Sequence, residues 1–344
     1  MREVLIAGGG PAAAAAAITA RQEGSQVAVI ERGKSGRHKV CGEFISPGAH
    51  QAMEALGVWH EFASLGPCPI RRCRLHLGNH TKLWTLPECA WGLSRLQLDG
   101  LLLGKAAALG AAVRRGETYD SQREKQAGTR LIVACGRPPS TARANRLFGF
   151  KAHFDGPSDD AVELFFDAGG YIGVSGIENG LTNVCGIAHE TSLRKYGFEF
   201  DEFVRRSPVL AERLAPLRRR MRWLVVAPLS FAFPAPRSSS DDVYAAGDSL
   251  GFVDPFSGSG ILNALLTGRL AGLAAARGIP SAKHLQVCRS LLGRPFMVSW
   301  VVRHLVGQRG LYQLARYLPG ELLFRSTRPS LKSALEATRV LTSR

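Results

Sequence analysis

The start of the chain places a glycine-rich turn between an apolar run and an alanine-rich segment, and this pattern limits the fold more than any other. The apolar run Glu3–Ala7 (EVLIA) is typical of a buried parallel strand. The alanine-rich segment runs to about Gln22, ahead of Gly24, and predicts a helix that ends with glycine. A second apolar run, Gln26 to Ile30 (QVAVI), predicts the next strand. Strand, helix and strand in this order predict an α/β fold built on a parallel sheet.

The turn has the spacing G-x-G-x-x-A, in which each position serves a dinucleotide-binding unit. Gly8 permits the tight turn, Gly10 lets a pyrophosphate approach the backbone, and Ala13 keeps the helix close to the strand. Pro11 and Ala12 begin the helix, whose free N–H groups and positive dipole end would hold the phosphates.

An acidic residue ends the second predicted strand. Glu31 lies about 20 residues past the glycines, where a carboxylate accepts hydrogen bonds from ribose hydroxyls, and the adjacent Arg32 is assigned to the same site. A glycine-rich turn in some other α/β protein is the alternative. The agreement of strand, turn, helix and terminal acid favours the dinucleotide site.

The second half of the chain contains another strand, Asp242 to Ala246 (DVYAA), followed by Gly247 and Asp248, and then by a helix predicted from about Leu262 to Arg277. This segment resembles the second fingerprint of FAD proteins with glutathione-reductase-like topology. The resemblance implies that the Asp248 carboxylate hydrogen-bonds a ribitol hydroxyl of FAD. It also implies that backbone N–H groups face the pyrimidine edge of the isoalloxazine, where they would stabilise the reduced anion. These N–H groups belong to Gly258, Ser259, Gly260 and Ile261.

Two further segments carry a resemblance to flavoproteins. Leu93 to Gly100 (LSRLQLDG) is similar to a segment of the hydroxylase-like flavoproteins, which implies that Arg95 lies near the FAD phosphates; an ordinary surface arginine is the alternative. Lys39 to Pro47 (KVCGEFISP) resembles a loop of the geranylgeranyl reductase family, which implies that Cys41 and Gly42 lie near the flavin ring. The resemblance covers residues 1 to about 275.

The expected fold is an α/β FAD-binding Rossmann domain of glutathione-reductase-like type, with an inserted antiparallel-sheet substrate domain (α+β) and a helical C-terminal segment. The FAD-binding domain would comprise residues 1–70, 92–147 and 238–278, and the substrate domain residues 71–91 and 148–237. Residues 279–344 would form the basic helical segment. Alternating or apolar runs between Phe148 and Ala188 predict the antiparallel sheet, 197–222 predicts a helix, and 223–233 predicts a last strand.

Cysteine usage argues against metal and disulfide chemistry. The seven cysteines contain no Cys-x-x-Cys pair and no zinc-ligand spacing, so we expect free thiols and no metal site. Cys41 has no partner cysteine close in sequence, which disfavours a disulfide-type flavoenzyme. Cys135 stands where the family commonly has the acid of an Asp-Gly pair, so a contact to FAD or to a nicotinamide cofactor is lost. Since no second G-x-G-x-x-G occurs, NADPH or NADH is expected only as a candidate transient reductant.

The function expected from the resemblance is that of an FAD-dependent oxidoreductase similar to geranylgeranyl reductases, acting on an apolar isoprenoid, lipid or polyketide-like molecule. An FAD-dependent monooxygenase using NAD(P)H and O2 is the enzymatic alternative, and a non-catalytic flavin-binding or nucleic-acid-binding protein is the alternative of another class. The five tryptophans show no W-x-W spacing, which disfavours tryptophan-type halogenation. Catalytic residues stay unassigned. Tyr171 and Cys41 are candidate proton donors, but each is at least as well explained as an ordinary sheet or loop residue.

The charge of the chain is unusual. The formal net charge is +16, and residues 281–344 alone carry 11 Lys and Arg against two acidic residues. Helices predicted at 283–293, 296–306 and 310–318 would pack on the FAD domain, lie on an anionic membrane, or cover a hydrophobic substrate entrance. No nucleic-acid-binding pattern occurs, so no nucleic acid partner is expected. No run of 18 apolar residues occurs, so no spanning helix is predicted. Free thiols are typical of a reducing cytoplasm, so the expected location is cytoplasmic, with peripheral membrane contact left open.

Overall fold

A five-stranded parallel sheet forms one half of the protein, in the strand order β14-β7-β1-β2-β6. The computed structural model describes residues 3–34, 36–78, 80–120, 128–137, 146–167, 170–234, 241–252, 254–307 and 319–343, with the backbone alone described for Asp167 and residues 305–307. The strands of this first sheet are β1 (Glu3–Ala7), β2 (Gln26–Glu31), β6 (Ala112–Arg115), β7 (Arg130–Val133) and β14 (Val243–Ala245). The predicted parallel α/β fold is confirmed.

Close packing of two small-residue helices forms the core beside this sheet. Helix α1 (Pro11–Gln22) has ten buried residues, six of them consecutive alanines. A Cβ atom at Gly268 of α8 (Gly260–Arg277) would lie 2.3 Å from the carbonyl oxygen of Ala12 in α1, so the two backbones touch. Helix α4 (Arg95–Ala108) packs against α1 as well. The alanines therefore allow the glycine turn, the Gly-Asp loop and α4 to meet in one place.

The second sheet has nine strands in the order β12-β8-β11-β10-β9-β4-β5-β3, with β13 also paired to β8. Its neighbours are antiparallel except for β4 and β9, which run parallel. The strands are β3 (Phe44–Ile45), β4 (Cys68–Leu77), β5 (His80–Gly92), β8 (Leu147–Asp155), β9 (Ala161–Asp167), β10 (Gly170–Gly176), β11 (Leu181–His189), β12 (Arg218–Arg219) and β13 (Leu224–Leu229). The sheet predicted between Phe148 and Ala188 is confirmed, whereas the domain boundaries and the inserted arrangement stay predictions.

Short helices cover the outer face of the second sheet, and here one prediction was wrong. Residues 197–222 do not form one helix: α5 (Glu190–Arg194), α6 (Phe200–Val204) and α7 (Pro208–Leu214) are separate, and Arg218–Arg219 pair with β8. Pro208 starts α7 because proline has no N–H to donate into a preceding helical turn. Helices α2 (Ala49–Ala55) and α3 (Trp59–Ser64) follow β3 and precede β4 in sequence.

The C-terminal helices pack on the rest of the chain. Helix α9 (Ser281–Gly307) is continuous through Pro295, so the two separate helices predicted at 283–293 and 296–306 are one; the helix predicted at 310–318 lies outside the described residues. Helices α10 (Gly320–Ser326) and α11 (Leu331–Thr342) follow. Leu291 and Leu292 of α9 and Leu341 of α11 join the same core as α1 and α8. Within the described ranges, none of the helices has the length and apolar character needed to cross a bilayer.

Candidate functional site

The carboxyl ends of β1, β2, β7 and β14 open into a cavity of about 1220 Å³. Pockets for one ligand measure roughly 300–1,000 Å³, so this cavity has room for a cofactor and a second molecule. Of the sequence-predicted site residues, the cavity wall includes Gly8, Gly10, Pro11, Ala12, Glu31, Arg32, Cys41, Gly42, Arg95, Gly247, Asp248, Gly258, Gly260 and Ile261. Ala13 and Ser259 are buried just behind the wall.

The glycine turn is shaped for a ligand that touches its backbone. Gly8 has φ +114°, and a Cβ atom there would lie 2.2 Å from the carbonyl oxygen of Ala134, so only glycine fits. Gly10 is the N-cap of α1 and offers no side chain to cap it, which leaves the first N–H groups of α1 available to a ligand. Ala13 has no exposed surface and packs inside the core.

Glu31 lies across this turn. Its Oε1 accepts a hydrogen bond from the Gly33 N–H at 2.7 Å, and a Cβ atom at Gly9 would lie 2.6 Å from its Oε2. The carboxylate therefore stands beside the turn at the end of β2, where hydroxyls of a bound ribose could donate to it. Gly9 was not assigned from the sequence, although its position inside the motif was the available signal.

Arg95 reaches the other side of the turn from the first residue of α4. Its Nη2 lies 3.4 Å from the position of a Cβ atom at Gly10, and its guanidinium forms two hydrogen bonds with Asp99, at 2.8 and 3.0 Å. Burial opposes the charge, but Asp99 and the neighbouring Cys41 raise the pKa of Arg95. Lys39 adds an ion pair to Asp99 at 3.1 Å. This pair was not predicted, although the i,i+4 spacing of Arg95 and Asp99 in the sequence indicated it.

The Gly-Asp loop closes the far side of the cavity. Gly247 has φ +60°, and a Cβ atom there would lie 2.8 Å from the Cβ of Ala12, so the loop rests on α1. Burial raises the pKa of the neighbouring Asp248, against the attraction of Arg95 and Arg137. Arg137 was missed by the sequence reasoning. Its guanidinium lies 5.0 Å from the centre of the Phe252 ring, and its buried Nη1 has no hydrogen-bond partner among the described residues.

The segment from Cys41 to Phe44 approaches the start of α8. The Asn183 side-chain amide donates to the carbonyl oxygens of Cys41 (3.2 Å) and Gly42 (2.9 Å). A Cβ atom at Gly258 would lie 2.8 Å from Phe44. Helix α8 has no side-chain cap at Ser259, and Gly260 and Ile261 at its start line the cavity. The expected contact of its first N–H groups with the pyrimidine edge of a flavin stays a prediction.

Part of the cavity wall is apolar, and this part is here called the apolar pocket. Its buried members Tyr171, Ile187 and Leu229 line the cavity and pack with Phe166 and Phe256. Burial raises the pKa of the Tyr171 phenol well above its ordinary value, and the nearby Asp254 carboxylate raises it further.

Helix α9 contributes to the same pocket. Its Arg303 forms an ion pair with Asp254 and lies 4.3 Å from the centre of the Phe231 ring. The basic C-terminal segment thus provides a side chain beside the apolar pocket, and its covering of a substrate entrance stays a prediction. Neither Asp254 nor Arg303 was identified from the sequence, because no local motif marks them.

One cluster has donor atoms close enough for a metal ion. His38, Glu43 and His153 each offer an atom within 4.8 Å of the others. However, Glu43 already accepts hydrogen bonds on both oxygens, and the buried Lys151 ammonium beside it repels a cation. Although His38 Nδ1 has no hydrogen-bond partner among the described residues, the occupied Glu43 oxygens and the Lys151 ammonium argue against a metal ion here, so we assign none. The described cysteines are all free thiols.

The residues present fit FAD, and comparison with known proteins agrees. Residues 1–143 match the family model of an FAD binding domain. The flavin-dependent halogenase armH4 of Armillaria mellea is 29% identical over 123 residues, which are 32% of this chain and 23% of that protein. The chain therefore spans less than a quarter of that relative's length.

Solved structures of flavoproteins share the whole fold. The flavin-dependent brominase Bmp2 superposes with a TM-score of 0.76 at 16% identity, covering 99% of this chain and 98% of that one. A geranylgeranyl bacteriochlorophyll reductase-like protein from Thermoplasma acidophilum has a TM-score of 0.68 at 19% identity, with coverage of 98% and 95%. PqsL of P. aeruginosa, in complex with 2-aminobenzoylacetate, has a TM-score of 0.70 at 14% identity, with coverage of 90% and 98%.

The fold and site therefore define an FAD-binding flavoprotein, and the predicted cofactor is confirmed. The flavin-dependent relatives also agree with the expected class, an FAD-dependent oxidoreductase. The geranylgeranyl reductase family is one of several kinds of flavoprotein with this fold, and the halogenases superpose with higher TM-scores.

Proposed function

We propose that this protein is an FAD-dependent oxidoreductase that uses reduced flavin and O2 to oxidise a flat, mostly apolar molecule carrying an acidic O–H or N–H group. The apolar pocket beside Tyr171 supports such a molecule, and the halogenase relatives support oxygen-dependent chemistry. NADPH or NADH would be a transient reductant, because the described residues include no second dinucleotide turn of this kind.

The chain's own residues would bind and orient FAD. The turn Gly8–Gly10 and the N-terminus of α1 would hold the diphosphate, with Arg95 beside it, and Glu31 would accept hydrogen bonds from a ribose. Asp248 would bind the ribitol chain. Bound FAD would supply the two-electron and oxygen chemistry, which no side chain of the protein can perform.

The position of Tyr171 on the cavity wall, with the Asp254 carboxylate close enough to raise its pKa, carries the proposal. When the phenol donates towards the carboxylate, the lone pairs on the Tyr171 oxygen would be free to accept a hydrogen bond from a ligand in the pocket. Burial raises the pKa of Asp254, which makes it a better proton acceptor. As the ligand is oxidised, its O–H or N–H proton would pass to Tyr171 while the phenol proton passes to Asp254.

A second candidate is reduction of an alkene, as in geranylgeranyl reductases. The Lys39 to Pro47 segment and the reductase-like structure from Thermoplasma acidophilum favour it. In that reaction a proton must be donated to the substrate, so the Tyr171 phenol would have to donate to the substrate and not towards Asp254.

Oxygen dependence separates the two candidates. FAD-loaded protein is mixed with NADPH and a panel of phenols, pyrroles and 2-aminobenzoylacetate, and O2 consumption is recorded with and without each probe. Probe-stimulated O2 consumption with an oxidised product supports the proposal. If dithionite-reduced protein instead reduces geranylgeranyl diphosphate without O2, and no probe stimulates O2 consumption, the reductase assignment replaces it.

A further inference from the structure

A buried charged cluster lies beneath the cavity wall and has no part in the steps above. It consists of Glu43, which precedes β3 in the cavity wall, and of Lys151 and His153, which point to one face of β8. Glu43 and Lys151 have no exposed surface, and His153 is 3% exposed. His38 packs edge-on against the His153 ring, with 5.0 Å between the ring centres.

One carboxylate joins three parts of the structure. Glu43 Oε1 accepts hydrogen bonds from the Lys151 ammonium and, at 2.7 Å, from the Arg95 N–H at the start of α4. Its Oε2 lies 2.7 Å from His153 Nε2. Lys151 also donates to the carbonyl oxygen of Lys39 at 3.2 Å. The wall segment 39–43, the second sheet and the N-terminus of α4 are thus tied together at a single side chain.

Burying these charged groups costs free energy, so stability alone does not explain the cluster. A buried ion pair of this kind is often replaced by apolar residues with no loss of stability. Glu43 also has φ +55°, a left-handed conformation that is unfavourable for a residue other than glycine. Burial opposes its charge, but His153 and Lys151 lower the pKa of Glu43, which therefore stays a carboxylate.

We propose that Glu43 is a positioning residue for FAD. Its carboxylate would hold the backbone of Cys41 and Gly42 and the start of α4, from which Arg95 extends, at the positions where they face the cofactor. The Asn183 side chain on β11 also binds this segment, because its amide donates hydrogen bonds to the carbonyl oxygens of Cys41 and Gly42. The inference rests on FAD binding and is independent of which substrate is oxidised.

The first test compares Glu43→Gln with Glu163→Gln. Glu163 of β9 is a similarly buried carboxylate, held by Arg74 of β4 and Arg213 of α7, and it does not line the cavity. FAD affinity is measured by titrating apoprotein, and the visible circular dichroism of bound flavin is recorded. We expect Glu43→Gln to weaken FAD binding at least tenfold and to change the dichroism, whereas Glu163→Gln lowers the melting temperature without changing either FAD readout. Unchanged FAD affinity and dichroism in Glu43→Gln would overturn the proposal.

A second variant separates positioning from folding. In the double variant Glu43→Leu with Lys151→Met, no buried charge is left unpaired, so we expect a melting temperature close to that of the parent protein. The proposal requires its FAD affinity to stay weak. Full recovery of FAD affinity and dichroism in the double variant would show that the cluster only stabilises the fold.

Two other outcomes have distinct meanings. Failure of the parent protein to bind FAD would contradict the cofactor assignment itself and with it this inference. A metal ion bound stoichiometrically by the parent protein and lost in Glu43→Gln would overturn the positioning role, because the cluster would then be a metal site.

Discussion

At the scale of single residues, two buried acids have different neighbouring groups, which suit them to different roles. Asp254 lies beside the apolar pocket with Tyr171 and Arg303, and burial raises its pKa. Glu163 lies among Arg74, Arg213 and His76, and although burial opposes ionisation these partners lower the pKa of Glu163 to about 2. The first is suited to accept a proton during a reaction, whereas the second stays charged and stabilises the sheet.

Replacing Tyr171 by phenylalanine tests the first of these roles. The variant keeps the ring but loses the hydroxyl that accepts the ligand proton. General acid–base groups contribute roughly 10²–10⁴-fold to rate, so we expect probe-stimulated O2 consumption to fall by about that factor. FAD affinity should be unchanged, as measured by titration of the apoprotein. Equal rates in the two proteins would exclude Tyr171 from proton transfer.

The contribution of Glu163 to the stability of the folded protein should decrease as the pH falls. Its pKa is depressed in the folded protein, so its stabilising contribution is complete above the ordinary value of 4.5 and is lost as the pH falls towards about 2. We therefore expect the stability difference between the parent protein and Glu163→Gln to be constant above pH 5 and to shrink between pH 4.5 and 2. Urea unfolding of both proteins across this range measures the difference. A difference that stays constant through acid would contradict the depressed pKa.

Gly8 permits a test of the cofactor turn. Alanine at this position would place a methyl group 2.2 Å from the Ala134 carbonyl oxygen in a positive-φ conformation. The turn must therefore shift, and we expect FAD to be lost on purification, seen as missing flavin absorbance. Gly24→Ala is the comparison, since it also has positive φ but open space around it, and it should lower stability without loss of FAD.

At the scale of secondary-structure elements, the sequence correctly predicted those elements whose pattern lies within a single segment of the chain. The elements β1, α1 and β2 were predicted from apolar runs, alanine content and glycine position, and all three are present. The helix predicted at 197–222 failed because Pro208 and pairing with β8 outweighed local helix propensity. Two helices were predicted on either side of Pro295, but α9 continues through this residue while it packs on the core.

The contact between α1 and α8 should be intolerant of added volume. Gly268→Ala would place a methyl group 2.3 Å from the Ala12 carbonyl oxygen, which cannot move without shifting α1. We expect a loss of about 1–3 kcal/mol in the free energy of unfolding, typical of overpacked cores. Gly100→Ala in α4 is the matched control, because no atom lies within 4 Å of its new methyl group, and it should be neutral or stabilising. Equal stabilities of the two variants would contradict the close helix contact.

At the scale of the whole molecule, the excess positive charge is partly accounted for. Arg303 serves the apolar pocket, and Arg328 donates to the Ser257 carbonyl oxygen near the start of α8. Met297, Trp300 and Val301 are each at least 40% exposed on the outer face of α9, with the exposed Arg294 one turn away. Aromatic, aliphatic and cationic side chains on one helix face favour contact with an anionic lipid surface.

Vesicle binding tests this proposed membrane contact. We expect the protein to sediment with phosphatidylglycerol vesicles and to remain in solution with phosphatidylcholine vesicles. Trp300→Ser should reduce the bound fraction, whereas Val225→Ser, an exposed apolar position on β13, should leave it unchanged. Equal binding of both variants, or a Trp300-dependent dimer without vesicle binding, would reject the lipid assignment.

The sequence by itself indicated a dinucleotide site and the parallel fold, because a glycine turn, its flanking strand and helix, and a terminal acid are local features with a local physical reason, while the choice of FAD rested on the resemblance of Gly247 and Asp248 to a flavoprotein fingerprint. It also located Arg95, Asp248 and the start of α8 through short motifs. Only the tertiary structure brought Glu43 to Lys151, 108 residues away, and Arg303 to Asp254 behind Tyr171. Such contacts join residues on separate elements, and burial gives them their energy, so neither the partners nor their pKa shifts leave a pattern in the chain.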